Sequence, residues 1–229
     1  MKASIIVPAF NEEATIEASL RGVLRLDIDG VELEIIVVDD RSTDRTAQIV
    51  KGLGEGIILI ELPANNGKGA AIRAALERVT GDIVVIHDAD LEYDPADIPA
   101  LIAPVVAGTA PASFGTRFAG GARPEGMQPA NYLCNRILAI TATVLFGRRI
   151  TDEATCYKAV RTDVLRDMNL KCMRFEFCPE VTAKLMRSGN HIAEVPVRYH
   201  ARTVDEGKKI HWYDGLEALW TLVKYRFVK

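Results

Sequence analysis

Four continuous apolar, β-rich runs, each followed by a stretch with helical spacing, constrain this chain more than any other feature. The runs are "ASIIVPAF", "LEIIVVDD", "GIILIELP" and "DIVVIHD". After the first, Ile16, Leu20, Val23 and Leu24 recur at helical spacing. After the second, "STDRTAQIVKGLG" offers Ser42 and Thr43 as caps and ends at glycine. "NNGKGAAIRAALERVTG" reads as a glycine-opened helix, and "PADIPALIAPVVAG" as a helix started by Pro95. Strands that are apolar on both faces and alternate with helices predict an α/β chain: a mostly parallel sheet with helices on both faces.

In such sheets, ligands bind beyond the carboxyl ends of the strands. Those ends carry Pro8-Ala9-Phe10-Asn11-Glu12, then Asp39-Asp40, then Asn65-Asn66, then Asp88-Ala89-Asp90. A solvated turn suffices for one acidic strand end, but it would not repeat at strand after strand. "HDADLEYDP" holds four carboxylates, Asp88, Asp90, Glu92 and Asp94. A cation bridging two phosphates needs hard oxygen ligands and open positions. Asp88 and Asp90 in D-x-D spacing supply such oxygens, and Glu92 continues the alternation. Asp94, beside Pro95, is expected to cap a helix. Asp40 suits a cap or a backbone-fixing role, and Asp39 suits accepting from a base N–H or a ribose hydroxyl. "NNGKG" lacks the G-x-x-x-x-G-K-[ST] pattern, yet a glycine-opened helix start that carries Lys68 can face an anion.

The second half is less regular. "ASFGTRF" reads as a fifth strand that delivers Arg117, followed by a Gly/Pro loop. "ANYLCNRILAITATVLFG" and "PEVTAKLMRSG" read as helices, "TDEATCYKAVRTDVLRDM" as a turn then a helix, and "HIAEVPVRYH" as a strand. Arg202, Lys208 and Lys209 fall in a charged, glycine-containing loop before the last helix. In that helix Trp212, Leu216, Leu219, Trp220, Val223 and Phe227 lie along one stripe, with Lys224, Arg226 and Lys229 at its end. This pattern suits an interfacial helix at an anionic membrane, or packing on the core. The stretch 138–146 is a candidate for a second lipid-facing surface. A net charge of −3 gives no reason to expect nucleic-acid binding. No run approaches the roughly 20 apolar residues of a membrane span, and the N-terminus does not read as a leader. The four cysteines lack C-x-x-C spacing and the four histidines lack metal-ligand spacing, so a cytoplasmic protein with reduced thiols is expected.

Taken in order, "SIIVPAFNEE", "IIVVDDRSTDRT", "NNGKGAAIRAAL", "GDIVVIHDADLEYDP", "GTRF", "DEATCYKAVR", "FCPEVTAKL" and "EVPVRYHARTVDEGKKIHWYDG" span nearly the whole chain. Together they resemble inverting GT-A glycosyltransferases of glycosyltransferase family 2, of the dolichyl-phosphate mannosyltransferase-like, polyprenyl-phosphate type. The resemblance implies a single Rossmann-like GT-A domain, with a nucleotide-binding half over 1–120 and an acceptor-side half with an amphipathic C-terminal helix over 121–229. It implies a GDP- or UDP-linked sugar donor, Mg2+ or Mn2+, and a lipid-phosphate acceptor reached from the inner face of the membrane. By position, Pro8, Phe10 and Glu12 look like the nucleotide-contacting loop and Asp39 like a base contact. Asp88 and Ala89 look like ribose or phosphate contacts. Asp90 looks like the main metal ligand and Glu92 like a second. Arg117, Arg202 and Lys209, with Lys208 an alternative to Lys209, look like the phosphate clamp.

An anionic lipid phosphate attacks without a strong base, whereas a hydroxyl acceptor requires a carboxylate near it. Asp152, Glu153, Glu176 and Glu180 are the candidates for that base, Asp152 and Glu180 foremost. The alternatives to a lipid acceptor are a sugar or other hydroxyl, or a nucleotide-sugar-binding protein without turnover.

Overall fold

The computed structural model describes residues 1–121, 123–202 and 212–228, with the side chain of Trp212 excepted. The expected strands form where continuous apolar sequence requires two covered faces. They are β1 (Lys2–Ala9), β2 (Glu32–Asp39), β3 (Ile57–Glu61), β4 (Ile83–Ile86) and β5 (Ala112–Thr116). A sixth, β6 (Lys158–Arg161), lies inside the segment read as a turn and a helix, and β7 (Ile192–Pro196) completes the set. The seven form one sheet in the order β3-β2-β1-β4-β6-β5-β7. β1 pairs in parallel with β2 and β4, β2 with β3, and β5 with β7. Only β6 runs against its neighbours, β4 and β5. β6 escapes a reading by pattern because it has four residues and begins at Lys158, whose side chain is fully buried.

Strand alternation divides the core. Ile5, Val7, Val37 and Val85 face helices α1 (Ile16–Leu24), α2 (Thr46–Gly52) and α4 (Ile98–Val106). Ile6, Ile36, Val84, Ile86 and Phe114 face α3 (Lys68–Leu76), α5 (Pro129–Phe146), α6 (Thr162–Asp167), α7 (Phe177–Arg187) and α8 (Trp212–Phe227). Asp94 caps the short 3-10 turn Pro95–Asp97 that leads into α4, its carboxylate accepting from the Ala96 amide at 2.9 Å. Ser42 and Thr43 do not cap α2. Asp44 does that locally, accepting from the Thr46 amide at 2.9 Å, while the Ser42 hydroxyl takes the Asn11 amide.

Crossovers run outward from β1 to β2 and β3, then return across β1 to β4. The direction of winding therefore reverses between β1 and β4, which opens a crevice at their carboxyl ends. Among the described residues, no helix is long and apolar enough to cross a membrane.

Candidate active site

A cleft of about 930 Å³ opens at this reversal point. Pro8, Phe10 and Glu12 reach it from the end of β1, Asp88, Ala89, Asp90 and Glu92 from the end of β4, and Lys68 from the start of α3. Backbone geometry there is tense. Asn11, Arg41 and Leu91 adopt φ of 50°, 63° and 62°, each just past a strand end. Left-handed backbone costs a side-chain-bearing residue about 1–2 kcal/mol, so tertiary contacts must hold these turns in place.

Several of those contacts are visible. The Asp40 carboxylate accepts from the amides of Asn66 and Gly67 at 2.9 and 2.7 Å, the backbone-fixing alternative for this residue. Gly67 has φ of 92°, and a Cβ there would lie 2.7 Å from the Met173 carbonyl, so only glycine fits. Several amides at the start of α3 are spent within the protein. Gly69 and Ala70 donate to the carbonyls of Arg174 and Met173 at 3.0 and 2.9 Å. What this helix start offers the cleft is the Lys68 ammonium, which pairs with Asp88 and lies 3.0 Å from the Cys156 sulfur. Burial opposes charge on both partners, but their mutual attraction outweighs it, holding Asp88 below and Lys68 above their usual ranges.

Asp90 behaves differently. Burial, then the adjoining Asp88 and Glu92 carboxylates, push it up to about 7, with Arg202 opposing. The Arg202 guanidinium reaches Asp90 at 2.9 Å and Glu12 at 3.2 Å. Among the described residues, the carboxylates at this end of the cleft, Glu12, Asp88, Asp90 and Glu92, outnumber the cations that reach them, Lys68 and Arg202. Among the described residues, no three His, Cys, Asp or Glu side chains are grouped to hold a metal by themselves. Asp90 accepts from the Glu92 amide at 3.1 Å and from Arg202 at 2.9 Å, and a divalent cation held here would have to draw most of its ligands from a bound diphosphate.

Other expected residues are placed otherwise. Both Glu92 oxygens are engaged: one accepts from the Tyr199 hydroxyl and the other from the Arg202 amide, each at 3.0 Å. Glu92 thus ties the segment after β7 to the cleft, and to serve as a second metal ligand it would have to use the lone pairs these bonds leave. Asp39 is buried, with one oxygen accepting from the Ser42 amide and the other unpaired, yet it does not line the cleft. Arg117 lines the cleft but turns its fork onto Asp152, with both bonds at 2.7 Å, so the guanidinium expected to clamp phosphate is engaged within the protein. Arg202 likewise serves the β1 and β4 ends, not a separate acceptor site. Lys208 and Lys209 lie outside the described residues.

The base candidates divide in the same way. Asp152 is fully buried and holds Arg117 with both oxygens, which leaves it unsuited to taking a proton. Glu180 lies off the cleft and accepts from the amides of Lys171 and Cys172 at 2.8 and 2.6 Å and from Lys184 at 2.5 Å. Burial would raise Glu180, but Lys184 and those amides hold it below the usual carboxylate range. Glu176 receives the amides of Met173 and Arg174. Only Glu153 of the four lines the cleft uncommitted. Sequence reasoning gave no role to Cys134, Cys156, Cys178, Phe177 or Tyr199, all of which line the cleft. They come from four distant segments, and no local spacing marks them.

Comparison with known proteins bears on this geometry. Residues 4–168 match the sequence model of Glycosyl transferase family 2. The low-salt glycan biosynthesis hexosyltransferase Agl6 of Haloferax volcanii is 32% identical over 200 residues, covering 87% of this chain and 48% of its own. The dolichol-phosphate mannosyltransferase of Pyrococcus furiosus is 29% identical over 240 residues, 98% of this chain and 64% of its own. The undecaprenyl-phosphate 4-deoxy-4-formamido-L-arabinose transferase of Edwardsiella ictaluri is 29% identical over 216 residues, covering 90% and 62%. The chain thus spans between about half and just under two thirds of the length of these relatives. The fold is shared with glucosyl-3-phosphoglycerate synthase from Mycobacterium tuberculosis, crystallised with Mn2+, UDP and glucosyl-3-phosphoglycerate. The TM-score is 0.75 at 23% identity, over 100% of this chain and 81% of that one.

Proposed function

The chain belongs to glycosyl transferase family 2, and from that premise we propose that it is a metal-dependent, inverting transferase moving a hexose from a nucleoside-diphosphate sugar to a polyprenyl phosphate. The observation that carries this reading is the set Asp88, Asp90, Lys68 and Arg202 gathered at the β1/β4 reversal, where strand-end carboxylates exceed nearby positive charge. Two curated relatives named above carry a lipid phosphate in their names.

In this reading Pro8, Phe10 and Ala89 wall the nucleoside, and Glu12, with Arg202, closes that side. Asp39 offers its unpaired oxygen behind the β2 end. Asp90 would hold Mg2+ or Mn2+, which when bound would supply positive charge to offset that developing on the departing diphosphate. Lys68 supplies a point charge beside Asp88 that faces the same phosphates. Arg117, braced by Asp152, lends positive potential to the acceptor side, with Lys208 or Lys209 completing it. The acceptor attacks the anomeric carbon from the side opposite the leaving group and inverts it.

The commitments of Asp152, Glu176 and Glu180 favour an anionic acceptor. A lipid phosphate needs no base, and these three carboxylates are engaged elsewhere, which leaves Glu153 as the candidate open to a hydroxyl acceptor. Contact with the cytoplasmic face of a membrane belongs to the same reading. Leu133, Ile137, Ile140 and Val144 of α5 and Leu216, Trp220 and Phe227 of α8 are all exposed, near Arg148, Lys224 and Arg226 in sequence.

Asp90→Ala tests the assignment. Expected is a loss of about a hundredfold or more in transfer to a polyprenyl phosphate, together with loss of Mn2+-dependent nucleotide binding by calorimetry. Full retained activity and metal-dependent binding would remove Asp90 from the site. Metal-dependent binding by the unmutated protein, with no transfer to a lipid phosphate or any hydroxyl, would favour a binding protein.

A further inference from the structure

Beyond the charged end, the cleft continues along residues 153–156 toward α5, α7 and α8, and Glu153 stands on that wall. Its side chain is fully buried, and among the described residues neither carboxyl oxygen has a hydrogen-bond partner. The neighbouring donors are spent elsewhere. Lys158 donates to the Glu153 backbone carbonyl at 2.9 Å, its ammonium 3.5 Å from the centre of the Phe114 ring. The Thr182 hydroxyl donates to the Cys178 carbonyl at 2.9 Å. Burial above all pushes the Glu153 carboxyl up to about 8; Lys158 and the nearby Thr182 hydroxyl oppose this, and Cys178 and Asp152 add smaller pushes. Near neutral pH it is therefore mostly protonated, with one O–H to give and a carbonyl oxygen to receive. Buried polar groups are almost always paired, so an orphaned carboxyl facing a cavity points to a ligand that completes it.

We propose that Glu153 is a specificity-determining residue that recognises hydroxyl groups of the transferred sugar. This rests on the nucleotide-sugar reading above and extends it. The strip from Cys156 to Glu153 begins beside Lys68, 3.0 Å from the Cys156 sulfur, where the diphosphate is expected. The group joined covalently to a diphosphate is the sugar, so the sugar falls along this strip. The chemistry of the wall selects it as well. Leu138, Phe177 and Ala218 on the same cavity surface are apolar, and Asn131, Asn135 and Asp214 place polar groups among them, the mixed lining that a sugar's apolar and hydroxyl-bearing faces match. A polyprenyl chain brings no hydrogen-bonding atom and would leave both oxygens orphaned. A lipid phosphate accepts from the O–H but gives the carbonyl oxygen no donor. Adjacent hydroxyls on a pyranose ring both donate and accept, and satisfy the two oxygens together.

Two variants separate this role from a structural or proton-abstracting one. Glu153→Gln keeps a donor and an acceptor in the same shape, and Glu153→Met fills similar space with neither. Calorimetry with Mn2+ compares UDP-glucose with UDP and GDP-mannose with GDP. Expected for Glu153→Met is a tenfold or greater loss of affinity for the nucleotide-sugar that the unmutated protein binds, with the free nucleotide unchanged. Glu153→Gln should stay within about threefold on both. Because Glu153→Met removes a buried unpaired carboxyl, it should melt no lower than the unmutated protein. Equal weakening of sugar-nucleotide and nucleotide by Glu153→Met, or of neither, overturns the proposal. A Glu153→Gln protein that binds normally but has lost transfer overturns it in favour of a general base for a hydroxyl acceptor. Failure of the unmutated protein to bind any of the four probes overturns the donor reading itself, and this inference with it.

Discussion

His87 sits fully buried between the Ser19 hydroxyl and the Tyr157 hydroxyl, 2.8 Å from each, one residue before the acidic cluster. No spacing in the sequence marks it as a ligand, and the structure makes it a neutral hydrogen-bond bridge behind the site. Burial pushes it down to about 4 from 6.5. The unfolded chain therefore takes up this proton first as the pH falls, so between about 6.5 and 4 acidification favours unfolding. The full effect below that window is about 3 kcal/mol at most. Denaturant midpoints at pH 7 and 4.5 check this against His87→Gln. The stability gap between the two proteins should shrink on acidification, and a gap independent of pH would show that His87 is not the group responsible. At the same scale, the placement of Asp88 and Asp90 in the cleft was legible from D-x-D at a strand end. The engagement of Glu92 by Tyr199 was not, because its partner lies 107 residues away.

Among the elements, α8 shows how far periodicity reaches. The stripe from Trp212 to Phe227 was legible, but the helix buries a different face, Asp214, Ala218, Thr221, Leu222 and Tyr225, and leaves Leu216, Trp220 and Phe227 outside. Leu219, from the same stripe, packs against the core. In α5 the split is similar: Leu138, Ala139 and Ala142 are buried while Ile137, Ile140 and Val144 are exposed. A helix apolar on more than one face does not announce which face its own protein will cover. Burying one such side chain in a bilayer interface is worth about 1.5–3 kcal/mol. Leu216→Glu with Trp220→Glu should therefore lower partition onto anionic vesicles by roughly tenfold or more, with nucleotide binding in solution unchanged. Equal flotation of variant and parent would assign these faces to something other than lipid.

At the level of the molecule, the site exists because the sheet reverses direction between β1 and β4, and because β6 enters antiparallel between β4 and β5. β6 carries the 152–157 segment to the cleft, so residues from both halves of the chain line one cavity. Ligand binding should then stabilise the whole fold. With Mn2+ and the nucleotide-sugar it binds at a hundred times the dissociation constant, the protein gains about 2.7 kcal/mol, roughly 5–10 °C in Tm for a chain of this size. Chelation with EDTA should abolish the shift. A shift that survives EDTA in full would separate donor binding from metal.

The sequence by itself determined the strand–helix alternation, the apolar strands covered on two faces, and the recurrence of carboxylates at their ends. These are local consequences of periodicity and composition, and 3.6- and 2-residue repeats are written in contiguous residues. Tertiary structure alone decided which polar groups are spent and which are left open. Asp152, Glu153, Glu176 and Glu180 are equivalent as letters. Arg117 takes the first, amides of 171–174 take the third and fourth, and Glu153 remains at a cavity wall without a partner. Whether a carboxyl is an anchor or a ligand-reading group depends on which donors reach it. Those donors arrive from strands and helices whose proximity the sheet order sets and the local sequence does not.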